Sequence, residues 1–278
     1  MTDVFSSLAT CDRETTRQIA SVLHCRRQDP DQYRMLRRFL AAVDVTAGPL
    51  LEIGCGSGEL LADLADRAPT TTVVGIDHSV DLLRMAGRSG GAAENIRLLA
   101  ADAHRLPFAA ESFPTVLMYT LLSHTPDIRS VLREAHRVCR RGGQLAVLDG
   151  DYASTDFSLG PHDPLNACVA AWRARYVVNT HDLRALPRLL EAAGFQLVRT
   201  GAHNYTATHS AYAYTIVDRG VDTMLGSGTI GEDLARSLKN EARRRADDEG
   251  FVGSITYRFA LARRHPSPSA AGTASPRA

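Results

Sequence analysis

The chain has 278 residues, 44% of them hydrophobic and 23% charged, which is ordinary globular composition and excludes a fibrous or low-complexity protein. Its formal net charge of +1 supplies no electrostatic drive toward nucleic acid or an anionic membrane. No apolar run reaches the roughly 18–20 residues that cross a bilayer. The opening MTDVFSSLATCDRETTR lacks the apolar stretch of a secretion signal, so a cytoplasmic location is expected. Lys239 is the sole lysine, and five scattered cysteines (11, 25, 55, 139 and 168) form no C-x-x-C pair. They suggest a reducing compartment and no zinc site.

In chain order, two helices are expected first, over residues 12–27 and 30–43, the second opened by Asp29-Pro30 and carrying Met35, Leu36, Phe39, Leu40 and Val43 at helical spacing. From residue 50 strands and helices alternate. Strand 50–54 leads to helix 59–67, strand 72–77 to helix 80–88, and strands 96–101 and 113–119 to helix 127–140, stopped by Gly142-Gly143. Strand 144–150 follows. Such alternation predicts a parallel sheet with helices on both faces and a ligand at the carboxyl ends of its strands.

The second half reads as an inserted helix (161–179), a further helix (182–193), a strand (195–200) and two helices within 203–250. In the last strand, ITYRFALAR, Ile255, Tyr257, Phe259 and Leu261 share one face. Residues 266–278 are rich in Pro, Ser and Ala and are expected to be disordered. Domain organisation is thus expected as one unit over 1–265: a helical cap (1–45), a cofactor-binding core (46–150), and lid helices with the last strands (151–265).

The chemistry concentrates in LLEIGCGSGELL, residues 50–61. Its glycines are spaced G-x-G-x-G, and Glu59 stands where the NAD fingerprint needs a third glycine. Asp77, 23 residues after Gly54, is placed to accept two hydrogen bonds from a ribose diol. Asp102 could accept from an adenine amino group while the N–H of Ala103 donates to a ring nitrogen.

LLEIGCGSG, VVGIDHS, AADAHRLPF, LLSHTPD and RVCRRGGQLAV together resemble the class I S-adenosylmethionine-dependent methyltransferases, in the branch that makes ubiquinone and menaquinone. The likeness is close over roughly residues 30–150 and looser to about 264. It implies a Rossmann-like α/β fold with a seven-stranded, mostly parallel sheet and helical cap insertions. It also implies S-adenosylmethionine as cofactor, with Glu52, Gly54, Cys55, Gly56, Asp77, His78, Asp102, Ala103 and Thr120 around it. The spacing agrees: a pyrophosphate wants a bare helix N-terminus, whereas this cofactor has no phosphate and needs only a tight turn beside an amino-acid moiety. Phe113-Pro114 departs from the family's Phe-Asp, and proline should sit at the first position of a strand.

The expected reaction is methyl transfer to oxygen or nitrogen of a small molecule in bacterial biosynthetic or secondary metabolism. His124, then Asp151 or Tyr152, are the candidate general bases. His124 is read equally as a structural histidine bonded to neighbouring backbone. Cys55 is expected to fill space rather than react. Tyr33, Tyr205, His203, Arg175 and Asn179 are candidate pocket or packing residues.

Asp149, Asp151, His124 and Asp156 lack a recognisable metal-ligand spacing, so no metal is expected. Arg243, Arg244 and Arg245 sit among Glu241, Asp247, Asp248 and Glu249 and read as a solvated helix face rather than a nucleic-acid patch. A nucleic-acid methyltransferase is disfavoured further because YTLLSHTP replaces an (N/D)PP(Y/F) segment. A protein that uses the cofactor for another reaction shares every motif and stays open as the alternative. A homodimer is compatible with the sequence.

Overall fold

The computed structural model describes residues 13–89, 93–180, 182–207, 211–247 and 253–265. The tail expected to be disordered, 266–278, lies outside them. Helices α1 (Arg13–Gln28) and α2 (Pro30–Leu40) come first, followed by β1 (Leu50–Ile53), α3 (Leu61–Arg67), β2 (Val73–Asp77), α4 (Val80–Ser89), β3 (Ile96–Ala100) and β4 (Phe113–Tyr119). A 3₁₀ turn at Leu122–His124 leads to α5 (Ile128–Val138) and β5 (Cys139–Asp156). The remainder is α6 (Leu165–Tyr176), a 3₁₀ turn at Asp182–Ala185, α7 (Leu186–Ala192), β6 (Phe195–Ala207), α8 (Ala211–Gly226), α9 (Glu232–Asp247) and β7 (Gly253–Arg264).

The strands form one seven-stranded sheet in the order β3-β2-β1-β4-β5-β7-β6. β1 to β5 run parallel and β7 is antiparallel to both neighbours. The order reverses between β1 and β4, and a crevice opens there beyond their carboxyl ends. Both faces are covered by helices, as a parallel sheet requires, so β1 and β4 are buried along their whole length.

Period two decides which side chain serves which face. Leu117, Tyr119, Ala146, Leu148 and Tyr152 join the cluster of α2, α3, α6 and α8. Leu51, Ile53, Val116, Met118, Leu145 and Val147 join that of α5 and α7.

Local chemistry sets the helix starts. Asp29 caps α2 by accepting from the N–H groups of Asp31 and Gln32, with Pro30 in the first turn. The second Asp29 carboxylate oxygen accepts from Tyr205 of β6 at 2.7 Å, fastening the cap to the sheet. Asp127 caps α5 through the N–H of Ser130. Residues 182–193 divide into a 3₁₀ turn and α7 because Pro187, lacking an N–H, is tolerated only in a first turn.

Several boundaries differ from expectation. α5 ends at Val138, and Cys139 goes straight into β5 with extended backbone, so Gly142-Gly143 lie inside a strand rather than terminate a helix. β5 and β6 run past their expected ends, to Asp156 and Ala207, because β7 pairs with both. Pro114 is the second residue of β4, at a register shift between Phe113 and Thr115, and pairing with β1 starts only at Thr115. In β7, Ala260 and Ala262 are buried as well as Leu261, so that end is covered on both faces. α6 and α8 cross closely where Gly220 meets the carbonyl of Cys168: a Cβ there would stand 1.9 Å from that oxygen.

Candidate active site

A cavity of about 520 Å³ occupies the crevice between β1 and β4. Its floor is the glycine loop. Gly54 and Gly56 hold φ of 76° and 54°, left-handed values that suit glycine. A Cβ on Gly54 would lie 2.7 Å from Leu121 Cδ1, and one on Gly56 3.0 Å from Leu23 Cδ1. The loop is pinned from β2. The N–H groups of Gly54 and Cys55 donate to Ile76 O, and Asp77 accepts from Gly56 N at 2.9 Å and Ser79 N at 2.8 Å. Asp77 therefore shapes the loop as well as facing the cavity.

All nine residues expected around the cofactor line this cavity: Glu52, Gly54, Cys55 and Gly56 from β1 and its loop, Asp77 and His78 from β2, Asp102 and Ala103 after β3, and Thr120 after β4. The Glu52 carboxyl is buried, its Oε2 has no hydrogen-bond partner, and burial, reinforced by Asp77, pushes its pKa up to about 8. Arg26 opposes that shift. Burial also carries the Cys55 thiol well above its usual range, which leaves it unreactive. Asp102 accepts from His104 N and Nδ1 at 2.8 and 2.7 Å, and these bonds hold its carboxyl below the usual range against its partial desolvation.

Of the candidate bases, His124 and Tyr152 line the cavity, with ring centroids 6.0 Å apart. Asp151 does not. Strand parity sends Tyr152 to the cavity face and Asp151 to the other, where its buried carboxylate pairs with Arg184 at 3.1 Å and Arg258 at 3.0 Å. Asp149, on the same face as Asp151, accepts from Leu122 N, Ser123 N and Gly150 N and so fixes the turn that carries His124. Burial raises the Asp149 pKa, and the nearby His124 acts against that rise. Asp156 binds Ser158 instead, and among the described residues no cluster suited to a metal ion occurs.

Other expected pocket residues have structural posts. Tyr33 lies under Arg27, His203 beside Asp31, and Tyr205 on Asp29. Asn179 donates to the carbonyls of Leu122 and Thr125, bracing the His124 turn from outside. The arginine run is neutralised: Arg243 pairs with Asp218, Arg244 with Glu241, and Arg245 with Glu241 and Asp163.

Sequence reasoning missed Arg26, Tyr119, Trp172, Tyr212 and Arg219, which also line the cavity. Arg26 of α1 is buried, donates to Thr120 Oγ1 at 2.8 Å, and lies 4.6 Å over the Tyr119 ring. A signal was present. Ile19, Val22, Leu23 and Arg26 make a stripe at helical spacing, as do Tyr212, Ile216 and Arg219; each places a cation where the apolar face continues.

The donor set fits a cationic nucleoside better than a pyrophosphate. Four acidic side chains (Glu52, Glu59, Asp77 and Asp102) line the cavity, and the Gly56 N–H is already taken by Asp77. S-adenosylmethionine brings an ammonium, a ribose diol and an adenine amino group, all donors, together with one carboxylate that a buried arginine could meet.

Comparison with known proteins agrees. A methyltransferase domain family matches residues 51–147. The ubiquinone/menaquinone biosynthesis C-methyltransferase UbiE of Desulfotalea psychrophila is 31% identical over 175 residues, covering 57% of this chain and 71% of that protein. Methyltransferase GfsG of Streptomyces halstedii is 38% identical over 120 residues, 42% of this chain and 43% of the relative, so the chain spans less than half the length of that protein. Among solved structures, a putative methyltransferase from Bacillus halodurans superposes with a TM-score of 0.58 at 19% identity, over 83% of this chain and 98% of that one, a likeness of fold.

The chain belongs to the class I S-adenosylmethionine-dependent methyltransferases. Within that class it resembles the enzymes of quinone biosynthesis. Among the described residues no helix is long and apolar enough to cross a membrane.

Proposed function

We propose that the chain transfers a methyl group to an oxygen or nitrogen of a small-molecule acceptor, in bacterial biosynthetic or secondary metabolism. The observation supporting this is the single cavity that joins the glycine loop and its carboxylates to His124 and an aromatic wall. When bound, S-adenosylmethionine supplies an electrophilic methyl group on a sulfonium. The residues divide the remaining work. Glu52 Oε2 takes the amino-acid ammonium, and Arg26 the carboxylate. Asp77 takes the ribose hydroxyls with its remaining lone pairs, beside His78, and Asp102 with the Ala103 N–H takes adenine. Cys55 and Thr120 shape the walls.

The enzyme's main contribution is positioning, since in-line displacement needs nucleophile, carbon and sulfur aligned at near contact. His124 accepts the acceptor's proton, contributing roughly 10²–10⁴-fold, and Asp149 keeps its turn in place. Tyr152 and Trp172, edge to face at 5.4 Å, form the wall against which the acceptor packs. The near-neutral charge and the neutralised arginine run support a small molecule over nucleic acid.

Incubation with methyl-¹³C-labelled cofactor and a panel of phenols and amines, read by NMR, tests the reading. A labelled O- or N-methyl product is expected. Turnover of an acceptor with the label left on the cofactor would support a non-methylating reaction instead, and a label found only on ring carbon would move the acceptor atom to carbon.

A further inference from the structure

Arg26 lies beside the glycine loop, and the cavity has a second arginine, Arg219. Arg219 is on the cavity face of α8, seven residues, or about 10 Å of helix, beyond Tyr212. Its Nη2 donates to the carbonyl of Gln18 on α1 at 2.9 Å, two turns from Arg26, and its guanidinium lies 4.9 Å over the Tyr176 ring. Among the described residues it makes no ion pair, and its Nε and Nη1 have no hydrogen-bond partner. The carboxylates on the same helix are engaged elsewhere: Asp218 with Arg243 at 2.7 Å, and Asp222 with Lys239 at 2.5 Å. Burial depresses the Arg219 pKa, only partly offset by Tyr176, Tyr212 and Asp222. A partly desolvated cation that makes no ion pair is costly, and an anion bound beside it offsets the cost.

We propose that Arg219 is the acceptor's anion subsite: the cavity takes a molecule with an aromatic body, seated against Tyr152, Trp172 and Tyr212, and a single carboxylate held by guanidinium N–H groups of Arg219 that the bond to Gln18 leaves open. This inference rests on the methyl-transfer reading above. Gln18 takes one of the five guanidinium N–H groups, so donors remain for carboxylate oxygens, and one guanidinium balances one negative charge.

Calorimetry on protein saturated with S-adenosylhomocysteine, titrated with 4-hydroxycinnamate or its methyl ester, tests it. The acid is expected to bind at least about tenfold more tightly than the ester, as a charge-assisted hydrogen bond implies. R219Q should abolish that preference while leaving S-adenosylhomocysteine affinity unchanged, and R219K should retain part of it. Equal binding of acid and ester, no binding of the acid, or an undiminished preference in R219Q overturns the subsite. A drop in S-adenosylhomocysteine affinity in R219Q also overturns it, by assigning the arginine to the cofactor. Failure of the wild-type protein to bind S-adenosylhomocysteine would instead count against the cofactor reading.

Discussion

Arg26 Nη1 donates to Thr120 Oγ1 across 2.8 Å, tying the first helix to the end of the strand that borders the switch point. Thr120 has φ of 50°, a left-handed conformation that a β-branched residue adopts at a cost of about 1–3 kcal/mol. The bond links that strained corner to a buried cation beside the glycine loop, at the place where the cofactor's carboxylate is proposed to sit.

R26Q is therefore expected to weaken S-adenosylhomocysteine binding by roughly 10–100-fold, the scale of a lost charge-assisted hydrogen bond. T120V, which removes the acceptor but keeps the shape, should have a smaller effect. Calorimetry on both variants checks the order, and an R26Q protein with wild-type affinity would remove Arg26 from the cofactor site.

Glu52 is expected to make cofactor binding pH-dependent. Its folded pKa, raised to about 8 from 4.5, means that the buried carboxyl is protonated near pH 7 and that its contribution to folding stability falls as pH rises from about 4.5 to 8. An ammonium beside it favours the carboxylate, so binding at pH 7 should release a proton, and affinity should rise between pH 6 and about 7.5. Calorimetry in buffers of different ionisation enthalpy measures that proton. It should vanish in E52Q, and its absence from the wild type would sink the ammonium assignment.

Much of this was legible in the sequence, for identifiable reasons. The glycine loop, Asp77 and Asp102 are backbone-turn and strand-end features that depend on local spacing, and the cavity brings them together as the order of motifs implied. Asp151 and Tyr152 were offered as alternative bases, but neighbours in a strand face opposite ways; Gly150 and Tyr152 take one face, the ring lying over the glycine, and the two aspartates take the other. The arginines were missed because only tertiary packing shows that α1 and α8 face the same cavity. The extensions of β5 and β6 depend on β7, far away in sequence, which no local pattern encodes.

H124Q should bind S-adenosylhomocysteine normally while kcat falls about 10²–10⁴-fold. D149N should lower both thermal stability and kcat, because it disturbs acceptors for three backbone N–H groups around the His124 turn. An H124Q enzyme with unchanged turnover would leave positioning alone as the source of rate.

The crossing of α6 and α8 predicts a sharp contrast between two glycines of one helix. G220A puts a Cβ 1.9 Å from the Cys168 carbonyl oxygen, an overlap that only backbone movement relieves, whereas Gly226 has nothing within 4 Å. G220A should cost about 1–3 kcal/mol or more, a fall in Tm of several degrees, and G226A should be neutral or slightly stabilising. Thermal melts of the pair check this, and equal melting temperatures would show that the helices separate without penalty.

Titration of the wild-type protein with S-adenosylhomocysteine and, separately, with NAD addresses the cavity itself. Saturable one-to-one binding of S-adenosylhomocysteine, weakened in D77A and undetectable for NAD, is the expected result. Binding of NAD in preference to S-adenosylhomocysteine, or an affinity unchanged by D77A, would contradict the assignment of the cavity and of its ribose acceptor.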